Sequence, residues 1–145
     1  MPEQVISGEL YGDPGSASTG RIAVLGLGRA GSALASEFLA AGLPVELLWT
    51  RSRRTLPDDL APLACFGPLP HDRLRRADVV VLAVHDDAIA SVAAALPLAD
   101  GAVLLHLSGA RESSELDPRR PGLHFGGYHP LQSFRPAGPR PFAVP

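Results

Sequence analysis

An apolar run, RIAVLG from Arg21 to Gly26, breaks into Gly26-Leu27-Gly28-Arg29-Ala30-Gly31 and then into an alanine-rich segment of helical spacing. This order restricts the fold more than anything else in the chain. The run is short, rich in β-formers and apolar throughout, which is the pattern of a buried strand. The glycines follow a G-x-G-x-x-G pattern between that strand and a helix, where each has a physical task. Gly26 permits a tight turn. Gly28, without a Cβ, lets a pyrophosphate approach the backbone. Gly31 lets the helix pack close to the strand. The N–H groups of Arg29 and Ala30 would then face the anion, helped by the helix dipole.

The helix is expected over Arg29 to Ala41. Ala30, Ala33, Leu34, Phe38 and Ala41 share one face, with Ser36 and Glu37 turned away, and Gly42 is a stop signal. Pro44 to Thr50 reads as a second strand. Arg51 to Ala77 is irregular, with room for a strand stub at Ala64 to Phe66 and a short helix near His71 to Arg76. Ala77 to Val84 is a third long apolar strand, followed by a helix over Asp86 to Leu96. Gly101 to Gly109 and Leu123 to His129 complete the strands, with a helical turn possible at Glu112 to Leu116. Strands apolar through their length, alternating with helices, predict an α/β fold: a doubly wound, mostly parallel sheet covered on both faces.

Twenty residues past Gly31, where sites for the unphosphorylated dinucleotide place an Asp or Glu, the chain has Arg51, flanked by Thr50, Ser52, Arg53 and Arg54. A carboxylate there would repel a ribose 2′-phosphate. A guanidinium would clamp it, and the hydroxyls can add donors. The expected cofactor is therefore NADP(H), with Arg51 and Ser52 as main contacts and Arg53 in support.

Composition narrows the chemistry further. All thirteen basic residues are arginine, so a lysine Schiff base and a P-loop lysine are both excluded. Cys65 is the single cysteine, too few for an internal disulfide or a zinc cluster, and its expected role is that of a small core residue. A net charge of −2 gives no electrostatic argument for nucleic acid or for an anionic membrane. Residues 1–19 read as a flexible leader without a signal peptide, 20–134 as the dinucleotide-binding domain, and 135–145 as a proline-rich tail. A cytoplasmic location is expected, and no metal site is.

The segments GLGRAGSALASEFLAAG, RS after the second strand, ADVVVLAVHDDAIASVAAAL, HLSGA and GYHPLQSF stand in an order that resembles one family. It is that of NADP-dependent oxidoreductases built from a Rossmann-like domain and a C-terminal helical dimerisation domain. Pyrroline-5-carboxylate reductases, ketopantoate reductases and F420:NADP oxidoreductases are similar to it. The resemblance runs from Arg21 to about Phe134 and implies a small-molecule substrate, and a homodimer where the helical domain is supplied. This chain, ending at Pro145, would carry only the N-terminal part. It also has His85 where the family usually has proline.

In a doubly wound sheet, ligands sit beyond the carboxyl ends of the strands. Besides the glycine loop and Thr50–Arg53, those ends offer Val84, His85 and Asp86 to the cofactor, and Ser108 and Gly109 after the next strand. His129, held by the Pro130 that follows, is the first catalytic candidate, able to donate a proton to a carbonyl or imine. Prephenate dehydrogenases look similar here, with a His-Pro pair. Ser108 could bond the same oxygen or the nicotinamide carboxamide. His106, on the same face as Ser108 by strand period, is expected to be a buried, satisfied histidine. Asp86 and Asp87 are expected to cap a helix rather than act as a catalytic pair. The leading function is NADPH-dependent reduction of a small keto acid or cyclic imine. The alternatives are a non-catalytic NADP(H)-binding module and a prephenate-dehydrogenase-like enzyme.

Overall fold

The computed structural model describes residues 20–108 and 122–128. The strands are β1 (Ile22–Leu25), β2 (Val45–Thr50), β3 (Ala64–Phe66), β4 (Val79–Leu82), β5 (Val103–His106) and β6 (His124–Gly127). The helices are α1 (Arg29–Ala40), α2 (His71–Leu74) and α3 (Ile89–Ala95). Short 3₁₀ turns occupy Ala61–Leu63 and Asp86–Ala88. The six strands form one sheet in the order β3-β2-β1-β4-β5-β6. Every pairing is parallel, as the apolar strands require. β1 is central, with Ile22 beside Val45 on one side and Val79 on the other. The strand order is that of the Rossmann-like dinucleotide-binding fold.

Two apolar clusters cover the two faces. Ala23, Leu25, Trp49, Val80, Leu82 and Leu104 point toward α3, whose Ile89 and Ala93 are wholly buried. Val24, Leu48 and Val81 point toward Leu34 and Ala35 of α1. At the amino end of the sheet, the Arg21 backbone N–H donates to the Asp78 carboxylate at 2.7 Å. That bond ties the start of β1 to the start of β4. Cys65 packs partly buried against the α3-side cluster. Burial pushes its thiol pKa up, while the Arg73 guanidinium pulls the other way.

Several details differ from the sequence expectation. α1 buries Gly31, Ala33, Leu34, Ala35 and Ser36, and leaves Ala41 exposed. Ser36, expected to face away, is 6% exposed, and its Oγ has no partner among the described residues. The side chains of this helix are mostly small, so it sinks far enough into its neighbours for the buried arc to widen past a simple apolar stripe. The helix expected over Asp86 to Leu96 begins as a 3₁₀ turn and becomes α-helical only at Ile89. Asp86 and Asp87 lie in that first turn, where the sequence places them and where their charge suits the helix dipole. His85 is the cap residue, and its own side chain makes no cap hydrogen bond. The expected helical turn at Glu112 to Leu116 lies outside the described residues.

Candidate dinucleotide site

The turn from β1 into α1 has the geometry its glycines demand. Gly26 adopts φ +99°, and a Cβ on it would stand 2.5 Å from the Ala83 carbonyl oxygen. A Cβ on Gly31 would overlap the Gly26 carbonyl oxygen and stand 2.9 Å from the Ala83 Cβ. Both positions are therefore closed to any larger residue by backbone. Gly28 is the opposite case, because a Cβ there would meet nothing within 4 Å. It faces the open cleft and forms the α1 N-cap without a side-chain cap bond. The first-turn N–H groups of α1 thus lie beside space that an anion can enter.

The cleft has a volume of about 530 Å³. On one side it is lined by Gly26, Leu27, Gly28, Arg29 and Ala30 of the glycine loop. Trp49, Thr50, Arg51, Ser52 and Arg54 line it from the end of β2, and Ala83, Val84 and His85 from the end of β4. Ala88, Ser91 and Val92 close the α3 side. A neighbouring cavity of about 290 Å³ shares Trp49, Arg51, Ser91 and Val92 with it, and adds Gly67, Pro68 and Leu69. Arg29, Arg51 and Arg54 are among the residues that line the main cleft, and no acidic residue lines it among the described residues.

The arginine cluster after β2 divides. Arg51 and Ser52 line the cleft, both exposed. The Arg51 carbonyl accepts from the Gly67 N–H at 3.0 Å, and the Trp49 indole donates to the Gly67 carbonyl at 3.0 Å. These two bonds brace the loop against the turn after β3. Arg53, expected in support of the phosphate site, does not line the cleft; its guanidinium lies over Phe66, 4.9 Å from the ring centroid. Arg54, which sequence reasoning left out of the site, does line it and donates to the Leu27 carbonyl at 3.0 Å. The same carbonyl accepts from Ser32 Oγ at 2.9 Å. Arg54 therefore fastens the β2 loop to the glycine loop. No sequence signal distinguishes Arg53 from Arg54, since only the path of the loop decides which one turns inward.

Trp49, Ala83, Ala88, Ser91 and Val92 were also missed by the sequence reading. The last three fall at helical spacing, the one signal that could have grouped them. Gly31 acts in packing and Asp86 does not line the cleft. Thr50 is 6% exposed. Gly109 and His129 lie outside the described residues. Ser108 is described but does not line the cavity; its N–H donates to His106 Nδ1 at 3.2 Å.

His106 is 1% exposed, as expected, but among the described residues only its Nδ1 has a hydrogen-bond partner. Its Nε2 has no partner among the described residues. An unpaired buried donor of this kind costs about 1–3 kcal/mol.

His85 has φ −56° and ψ 146°, the backbone a proline would adopt. Its N–H makes no hydrogen bond among the described residues. A proline at this position would therefore fit the His85 backbone. A His85→Pro chain is expected to fold normally and to gain between 0 and about 1 kcal/mol from its stiffer unfolded state. A thermal melt checks this, and a loss of stability would show that the N–H or the turn needs the histidine.

A family model described as NADP oxidoreductase, coenzyme F420-dependent, matches residues 21–108, more than half of the chain. The chain belongs to this family. NADP is thus the dinucleotide of its family, and the glycine cradle with its arginines is a fitting place for one. A search of curated proteins finds no match. Among solved structures, a Bacteroides fragilis protein assigned to the NADP oxidoreductases superposes with a TM-score of 0.70 at 18% identity, over 83% of this chain and 47% of that one. A semialdehyde dehydrogenase NAD-binding protein from Cupriavidus necator, in complex with calcium and NAD, gives 0.57 at 28% identity, over 74% and 40%. Prephenate dehydrogenase from A. aeolicus gives 0.56 at 15% identity, over 80% and 43%. The chain spans less than half the length of each of these structures. Among the described residues, no helix is long and apolar enough to cross a membrane.

Proposed function

We propose that this chain binds NADP(H) in preference to NAD(H) and forms the dinucleotide domain of a reductase acting on a small keto acid or cyclic imine. The observation that carries the reading is the charge of the residues around the cleft: three arginines and no acidic residue among its described lining residues. Bound NADPH supplies the hydride. The residues of the chain supply the rest. The first-turn N–H groups of α1 take the pyrophosphate beside Gly28, where no side chain intervenes. Arg51 takes the 2′-phosphate with Ser52 beside it, and Arg54 keeps this loop against the glycine loop. Val84 and His85 border the cleft at the end of β4. His129, which follows Tyr128 in sequence, gives a proton to the acceptor's carbonyl or imine, and Ser108 orients that group or the carboxamide.

The test is a titration with NADPH and NADH, followed by the fluorescence of Trp49, the single tryptophan, which lines the cleft. NADPH is expected to bind at least about tenfold more tightly, the equivalent of one charge-assisted hydrogen bond. Equal binding of the two overturns the preference. NADPH consumption is then followed with keto acids, cyclic imines and coenzyme F420 as acceptors. Binding without turnover on any of them favours a non-catalytic module.

A further inference from the structure

We propose that His106 is a positioning residue, whose imidazole holds the backbone of Ser108 in place at the carboxyl end of β5. The inference rests on the reading above, in which Ser108 serves the bound dinucleotide or substrate. β5 ends at His106, and the ladder runs one residue further, where the Leu107 N–H donates to the Leu82 carbonyl at 3.2 Å. The next N–H, that of Ser108, turns back and donates to His106 Nδ1 at 3.2 Å. The ring lies against Gly127, its register partner in β6, where a Cβ would stand 3.3 Å from its Cε1 and 3.4 Å from Nε2.

The chemistry of the ring separates holding the backbone from filling the core. Accepting at Nδ1 leaves the proton of a neutral imidazole on Nε2. That N–H is buried without an acceptor among the described residues. An apolar side chain of similar size would fill the same space without an orphaned donor. Stability alone therefore favours replacing this histidine. What an apolar side chain cannot do is accept the Ser108 N–H, and that bond decides where the chain leaves the sheet.

The experiment compares His106→Leu with His106→Asn in the full chain. Asparagine Oδ1 can stand close to where Nδ1 does, so the acceptor is retained; leucine removes it. The Leu variant should melt at or above the wild-type temperature yet bind NADPH roughly fivefold to tenfold more weakly, the scale of one net hydrogen bond. The Asn variant should melt lower yet bind within about twofold of wild type. Affinity that follows melting temperature in both variants, or a Leu variant that binds like wild type, overturns the role. Should the Leu variant fail to fold, ¹⁵N NMR of the wild-type imidazole decides. A proton on Nε2 supports the bond to Ser108, and a proton on Nδ1 overturns it. A wild-type chain that binds neither NADPH nor NADH overturns the cleft reading and this role with it. A chain that binds NADPH while the Leu variant is unaffected overturns this role alone.

Discussion

A Gly28→Ala chain is expected to keep its fold and lose its dinucleotide, while Gly31→Ala is expected to lose much of its fold. The two glycines lie three positions apart in one motif, and their surroundings are opposite. A Cβ at Gly28 would meet nothing within 4 Å, so the substitution changes stability only by the weaker capping of alanine, about 1 kcal/mol or less. The space it fills is the space a pyrophosphate needs. Losing two charge-assisted bonds to backbone N–H groups would weaken NADPH binding by at least about a hundredfold. At Gly31 the new Cβ overlaps the Gly26 carbonyl oxygen, a backbone atom that cannot rotate away. α1 would have to lift from the sheet, at about 3 kcal/mol or more. Melting curves and titrations of the two variants separate the effects. A Gly28→Ala chain that binds NADPH normally would show that no anion approaches there.

The second large effect is expected at Arg51. Arg51→Asp replaces an exposed cation lining the cleft with an anion. NADPH affinity should fall by on the order of 1.5–3 kcal/mol, roughly tenfold to a hundredfold, with NADH affinity unchanged or improved. Because the position is exposed, added salt should shrink the wild-type preference as well. An equal loss for both dinucleotides would show that Arg51 shapes the loop and reads no phosphate.

The fold was legible in the sequence because its signals are local. The apolar strands and the glycine junction mark themselves, and even the stub at Ala64–Phe66 and the short helix at His71–Leu74 lie where expected. β4 was overrun at its carboxyl end, because apolar character continues through Ala83 and Val84 past its last strand residue, Leu82. The cleft was legible in part. Gly26 to Ala30 of the glycine loop, Thr50, Arg51, Ser52, Val84 and His85 all line it, while Gly31 acts in packing. What the sequence did not show depends on the path of the chain in space. Arg53 and Arg54 are chemically identical neighbours, yet one lies over Phe66 and the other bonds the glycine loop. The burial of Ser36 and the lack of a partner for His106 Nε2 among the described residues likewise follow from packing, which periodicity does not encode.

The central position of β1 has a consequence for how the molecule comes into being. Arg21 and Asp78, which close the sheet at its amino end, are 57 positions apart. As the chain leaves the ribosome, β1 can pair with β2 early, but its other edge stays open until β4 has been synthesised. Parallel pairings over such separations form slowly, because each must close a long loop before any contact rewards it. The nascent half-sheet thus exposes an apolar, hydrogen-bond-hungry border for the time those residues take to emerge, and in that window self-association competes with folding.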